Sequence, residues 1–211
     1  MNGATVRTLT GREGFRFLDE RELSLRARWF HYSTPEVFAH QFRSPDWLLW
    51  RDGDFEAAVR TMLGLQPKTH RARTWRRNGV QVIRVQAVDA ESVKEPGSAL
   101  NYLLTYLAAT HPEEDRLIVD ADVCAAKGVE LPDVDFLIHD DDVVFTKYEG
   151  EPSVVYRDAY FNTAPVPGEE DDRPFFRYCA DAADTLLARR DEIAYRGELF
   201  GVDLLRRLRA T

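Results

Sequence analysis

The segment that decides the fold is residues 135–148, which read DFLIHDDDVVFTKY. Apolar residues dominate on both sides of the acidic run Asp140-Asp141-Asp142. Asp suits a tight turn because it tolerates left-handed backbone geometry and hydrogen-bonds to its own backbone. The segment therefore predicts an antiparallel β-hairpin.

Outward from this hairpin, the strongest strand signal is residues 80–88, which read VQVIRVQAV. Both faces of this strand are largely apolar, so we expect it to lie inside a sheet, where Arg84 needs a partner on its own face. Segments 116–119 and 153–157 read as further strands. Two helices are predicted, one at 99–109 with a leucine stripe and one at 174–193.

The first 64 residues read as short helices joined by turns. Pro35 is placed to open one helix, with Val37, Phe38 and Phe42 at helical spacing, and Asp54 is placed to cap a second helix that stops at Gly64. Between the two helices, residues 47–50 read WLLW, and the cost of leaving them in water predicts a core plug.

These elements predict an α/β fold with a central mixed sheet from 75 to 158 that contains the antiparallel hairpin and has flanking helices. We expect a helical N-terminal segment over 1–64 that packs on the main α/β domain, residues 65–211.

Composition limits the class of protein. The chain has 211 residues, of which 44% are hydrophobic and 30% charged, which is typical of a globular protein. No apolar run approaches the ~20 residues that cross a bilayer, so we expect a cytoplasmic protein with no membrane partner. The cysteines, Cys124 and Cys179, are expected to be structural. The chain lacks a cofactor motif, and we expect no cofactor.

Charge is unevenly distributed along the chain. Residues 1–84 hold 15 Lys/Arg and 9 Asp/Glu, a net of +6, whereas residues 85–211 hold 13 and 27, a net of −14. The dense basic patch at 68–77 is therefore expected to pair with the protein's own acids. Binding of phosphates and bases by this patch is the alternative, but an overall pI near 5.2 makes a nucleic-acid partner an unfavourable interpretation.

The acidic residues of the second half suggest a metal site, because hard cations need clustered carboxylates. The stretches at 120–122, 133–135 and 140–142 lack the calcium-loop pattern, so turn and cap roles are the preferred interpretation and no metal is expected. His139, beside these acids, is the candidate general base, with Asp140 as its catalytic neighbour.

From Trp75 onward the chain resembles an uncharacterised actinobacterial family whose members often lie beside helix-turn-helix regulators. The residues that carry the resemblance are Trp75-Arg76-Arg77 leading into 82–85, the hairpin at 135–145 and the helix at 175–193. The hairpin and final helix also look similar to the ligand-sensing phospholipase-D-like domains of some regulators. The catalytic form of those domains has His-x-Lys-x4-Asp, and because Asp140 and Asp141 follow His139 without that lysine, the resemblance implies no phosphodiester hydrolysis.

These observations favour a non-catalytic accessory or regulatory protein that recognises a partner protein or a small ligand. The alternative is a small enzyme of specialised metabolism that uses His139 and nearby carboxylates. The candidate ligand-binding residues are Arg84, Tyr102, Tyr106, Trp75 and Lys147.

Overall fold

The computed structural model describes residues 6–35, 43–65, 70–147, 153–157 and 173–210. Their strands form a seven-stranded sheet in the order β1-β7-β6-β5-β2-β3-β4. Strands β2, β3 and β4 are parallel to one another, and the remaining neighbours are antiparallel. The strands are β1 (Val6–Thr10), β2 (Arg28–Ser33), β3 (Gln81–Val88), β4 (Asp115–Asp120), β5 (Phe136–His139), β6 (Asp142–Lys147) and β7 (Ser153–Arg157).

Helices connect these strands and cover both faces of the sheet. They are α1 (Gly11–Leu23), α2 (Pro45–Arg51), α3 (Phe55–Gly64), α4 (His70–Arg77), α5 (Ala90–Lys94), α6 (Ala99–Thr110), α7 (Ala121–Ala126), α8 (Arg173–Ala188), α9 (Arg190–Ile193) and α10 (Phe200–Arg209). None of the described helices is long and apolar enough to span a membrane.

The predicted α/β fold with a mixed sheet is confirmed. Strands β5 and β6 form the predicted hairpin, and Asp140 at its turn has a left-handed φ of 57°. Asp54 caps α3 by accepting from the backbone N–H of Ala57. Trp47 and Trp50 of the predicted core plug are buried, and α2 holds them against α3 and α6. Leu48 of the same segment is 43% exposed, so the prediction is wrong for this residue.

The expectation of helices alone in the first 64 residues is wrong. Two strands, β1 and β2, lie in this region, and β2 is inserted between β5 and β3 at the centre of the sheet. The sheet therefore crosses the boundary expected after residue 64. Residues 28–33 (RWFHYS) form a short segment that is rich in aromatic residues. The segment becomes a strand because it pairs with β5 on one side and with β3 on the other.

Two smaller predictions differ from the structure or fall outside it, and one helix had no prediction. Trp75 belongs to helix α4, so the sheet segment after the basic patch begins at Gln81 and not at 75. Helix α10 was not predicted, although α10 packs on α6 and α3. The helix expected after Pro35 falls on residues 36–42, which lie outside the described residues.

The central strands have two different faces because successive side chains of a strand point to opposite sides. One side, the apolar face, carries Phe30, Tyr32, Val85, Phe136 and Ile138 and forms the main core with α7, α8 and α9. Cys124 and Cys179 are buried in the same core. The other side, the polar face, carries His31, Ser33, Arg84, Gln86 and His139 among apolar neighbours and lies towards α1, α4 and α6.

Candidate functional site

A cleft of about 360 Å³ lies on the polar face. The cleft lies where the carboxyl ends of β2 and β3 meet the start of β5. The connection from β2 to β3 includes α4 on the polar face, whereas the connection from β4 to β5 includes α7 on the apolar face. Open α/β sheets bind ligands in crevices outside the carboxyl ends of their parallel strands. The lining residues are Leu18, Trp29, His31, Ser33, Arg84, Gln86, Leu103, Leu107, Asp135, Phe136 and Leu137.

The polar floor of the cleft follows from strand register. In the parallel pair of β2 and β3, His31 is the partner of Arg84, and Ser33 is the partner of Gln86. Because residues two apart on a strand share a face, these four side chains form a square on one side of the sheet. Apolar side chains from α1 and α6, Leu18, Leu103 and Leu107, form the walls.

A chain of hydrogen bonds fixes this floor. The Arg84 guanidinium donates from Nε to Oε2 of Glu114 at 2.6 Å and from Nη2 to Oε1 at 3.3 Å. Arg84 Nη1 also donates to Nδ1 of His31. With Nδ1 as acceptor, neutral His31 carries its proton on Nε2, which lies 3.3 Å from the Ser33 hydroxyl oxygen and donates to it.

The charge state of His31 agrees with this arrangement. Burial, and then the charge of Arg84, lower the pKa of His31 well below its ordinary value. His31 is therefore neutral near pH 7. Its basic lone pair is already used by Arg84, so His31 cannot remove a proton from Ser33 as the base of a serine nucleophile does.

Gln86 has a fixed side-chain orientation. Its Nε2 donates to the carbonyl oxygens of Thr34 at 2.7 Å and Ala87 at 3.0 Å. A flipped amide would direct Oε1 at the same carbonyls, so the assignment of the two atoms is settled by chemistry. Gln86 is 3% exposed, and its Oε1 has no hydrogen-bond partner among the described residues.

Trp75 supports the cleft from behind. Its ring stacks on Trp29 with centroids 5.8 Å apart, and its Nε1 donates to the carbonyl oxygen of Glu22 at 2.7 Å. Trp29 in turn lies below the guanidinium of Arg84, with 5.3 Å between Cζ and the ring centroid. Of the five predicted ligand-binding residues, Arg84 lines the cleft and Trp75 holds its wall.

Three other predicted ligand-binding residues lie elsewhere. Tyr102 is buried in the cluster around Trp50, where its hydroxyl donates to Asp46 at 2.8 Å. Tyr106 stacks on Tyr102 with centroids 6.1 Å apart. Lys147 ends β6, on the far side of β5 from β2, and its side chain lies outside the described residues.

His139 and Asp140, the predicted catalytic pair, have structural surroundings. His139 is fully buried, does not line the cleft, and neither of its ring nitrogens has a hydrogen-bond partner among the described residues. Burial is the main cause that lowers the pKa of His139 to about 4. The Asp140 carboxylate accepts backbone N–H groups of Arg26, Ala27 and Arg28, which ties the hairpin turn to the start of β2.

The acidic residues singled out as metal candidates have turn and cap contacts. Asp120 caps α7 by accepting from the backbone N–H groups of Asp122 and Val123, and Asp135 accepts from the backbone N–H of Thr34 at 2.7 Å. In the described ranges, no group of three or more His, Cys, Asp or Glu side chains is placed to hold a metal ion.

Residues 70–77 of the basic patch form helix α4, and three arginines of this helix pair with acids of the same chain. Arg71 pairs with Asp19 and Glu22, while Arg73 and Arg76 pair with the 113–115 segment through Glu113 at 2.8 Å and Asp115 at 2.6 Å. Two of these four acidic partners, Asp19 and Glu22, lie in the basic part of the chain, residues 1–84. The uneven charge distribution did not predict this pairing within residues 1–84.

Sequence reasoning missed His31, Ser33, Gln86 and Glu114. The first two were missed because β2 was not recognised as a strand. Gln86 had a usable signal, since a polar residue two positions after Arg84 in a buried strand shares its face. For Glu114, which follows α6 in a turn, no such signal was present.

Comparisons with known proteins give little further information. No family model matches the chain, and no curated protein matches it. Among solved structures, it is similar to TrmBL2, described as an archaeal chromatin protein with a novel mode of DNA binding, at 9% identity and a TM-score of 0.35. The match covers 92% of this chain and 55% of that one, so the chain spans about half the length of TrmBL2. At this TM-score the likeness carries no argument about this chain.

Proposed function

We propose that the protein is a non-catalytic accessory or regulatory protein that binds a small molecule in the cleft over β2 and β3. The observation that carries the proposal is a concave site with apolar walls and four convergent polar side chains at its floor. Small-molecule sites have this composition, and 360 Å³ lies within their usual size range. A cytoplasmic location and the relation to regulator-associated families belong to the same proposal.

The enzymatic alternative has weaker support. It needs His139 to reach a substrate, but this side chain is fully buried, and the Glu22 carboxylate of α1 lies 3.8 Å from its Nε2. The His31 lone pair is occupied as well. Catalysis would require His139 or His31 to move, whereas binding of a ligand in the cleft requires no such rearrangement.

A fragment screen by protein-observed NMR on ¹⁵N-labelled protein tests the proposal, with neutral, anionic and cationic molecules in the set. We expect binders that shift the indole N–H signal of Trp29, which the Trp29→Phe variant identifies. Leu103→Trp, which fills the cleft, should abolish their binding. Leu48→Trp, a matched change at a side chain 43% exposed and away from the cleft, should not.

Two results would contradict the proposal. One is a screen in which no molecule perturbs Trp29, and the other is a set of binders that tolerate Leu103→Trp while this variant retains the fold.

A further inference from the structure

The hydroxyl group of Ser33 ends a chain of hydrogen bonds that crosses the floor of the cleft. The chain begins with Glu114 and Arg84 and continues to His31. Its last step joins Nε2 of His31 to Oγ of Ser33 at 3.3 Å. Both His31 and Ser33 line the cleft and are partly exposed. A ligand in the cleft can therefore reach this end of the chain.

The direction of each hydrogen bond in this chain is fixed by chemistry. Arg84 has N–H donors and no acceptor, so Nδ1 of His31 must accept from it. A neutral imidazole with this acceptor carries its proton on Nε2, which donates to Oγ of Ser33. Ser33 uses one oxygen lone pair for this bond, and its own O–H remains a donor. Among the residues that the structure describes, no group accepts from this O–H.

The charged start of the chain strengthens the donor at its end. Glu114 pairs with Arg84 at 2.6 Å, and these side chains are only 7% and 11% exposed. In such a place successive hydrogen bonds polarise one another, so Arg84 makes His31, and through it Ser33, a better donor. Because the carboxylate compensates the guanidinium, the chain has no net charge with which to repay an anion for its lost hydration.

We propose that the cleft binds an uncharged ligand that presents a hydrogen-bond acceptor, such as a ketone, ester or amide carbonyl, to the Ser33 hydroxyl. The apolar part of the ligand packs on Leu18 of α1 and Leu103 of α6, which line the cleft and are partly exposed. Ser33 is then the residue that selects acceptors over donors. This inference rests on the proposed function, since it specifies the ligand class of the same site.

The tautomer of His31 decides whether Ser33 can donate to a ligand. Long-range ¹H–¹⁵N correlation spectra of the labelled full chain at pH 7 show which ring nitrogen carries the proton, and the His31→Gln variant identifies the signals. We expect the proton on Nε2. A proton on Nδ1 would overturn the inference, because Ser33 would then donate to Nε2 and would have no donor left for a ligand.

Three probes with the same bicyclic body test the preference in protein-observed NMR titrations of the full chain. They are 1-indanone, whose carbonyl is an acceptor, 1-aminoindane, whose ammonium group has only donors, and indane-1-carboxylate, an anion. We expect 1-indanone to bind at least about fivefold more tightly than the carboxylate, because the anion loses hydration without meeting a net positive charge. Binding of the carboxylate as tightly as the ketone would overturn the inference.

A pair of matched variants assigns the preference to Ser33. Ser33→Ala should weaken the binding of 1-indanone about fivefold, which corresponds to about 1 kcal/mol, and should change the binding of 1-aminoindane by less than about twofold. Ser24→Ala, the same change at an exposed position outside the cleft, should leave both affinities unchanged. Undiminished binding of the ketone to Ser33→Ala would overturn the inference. If Ser33→Ala does not fold, the tautomer and the probes on the unchanged protein still decide.

The outcomes separate this inference from the proposed function. If fragments bind in the cleft but 1-indanone does not, the inference fails and the ligand site stands. If no fragment binds there at all, both fail.

Discussion

The two faces of the central strands are made of alternating residues of the same segments, yet they are stabilised in different ways. On the apolar face, Phe136 stacks on Phe30 and Tyr32 with centroids 5.9 and 5.3 Å apart, and helices cover the rings. On the polar face, Arg84 and Gln86 depend on individual partners in other elements. Packing therefore holds one face closed, while specific pairing leaves a cleft in the other.

The largest expected effect is on the apolar face. Phe136→Ala removes a fully buried ring and should lower the free energy of unfolding by about 3–5 kcal/mol in a denaturant titration. Asp141→Asn at the exposed hairpin turn is the control, and it should change stability by less than about 0.5 kcal/mol. Equal small effects from both would refute the assignment of the apolar face as the main core.

On the polar face, stability should depend on the ion pair between Arg84 and Glu114. Arg84→Met leaves Glu114 buried without its cation, so we expect a loss of about 3 kcal/mol. The double variant Arg84→Met/Glu114→Leu removes both charges and should recover to within about 1 kcal/mol of the wild type. A double variant as unstable as the single one would show that packing, not pairing, stabilises this face as well.

The buried histidine of the polar face makes stability depend on pH. His139 has an ordinary pKa of 6.5 when unfolded and about 4 when folded, so the unfolded chain binds more protons between these values. Its contribution is present above pH 6.5 and is lost as pH falls towards 4, by about 3 kcal/mol in total. Denaturation curves at pH 7 and pH 4 should show this loss in the wild type relative to His139→Leu. A pH dependence that is the same in both proteins would contradict it.

The smallest expected effect is at helix α4, outside both faces. Arg73 and Arg76 are 52% and 39% exposed, so reversing both to Glu should cost only about 1 kcal/mol of stability in a melting curve. Arg77→Glu is the control, because Arg77 has no ion pair within the described residues. We also expect no salt-sensitive retention of the wild type on DNA.

If helix α4 binds DNA instead, the melting and binding measurements should give different results. The reversed variant would melt as the wild type does but lose DNA binding, and wild-type affinity would fall with log salt by about 0.9 per phosphate neutralised.

The sequence alone determined the elements whose signals are local. Periodicity and turn chemistry predicted β3, β4, the hairpin and α6, and cap residues placed α3. It also indicated that Arg84 needs a partner, because a charge in a strand with two apolar faces cannot remain unpaired.

Only the tertiary structure decided the site. Strand β2 exists as a central strand because β5 and β3 pair with it on either side, and this pairing places His31 beside Arg84 and Ser33 beside Gln86. Glu114 reaches Arg84 from 30 residues away, and Gln86 is oriented in part by the carbonyl oxygen of Thr34, 52 residues distant. Such contacts depend on which strands become neighbours, a long-range choice that no local pattern of residues encodes.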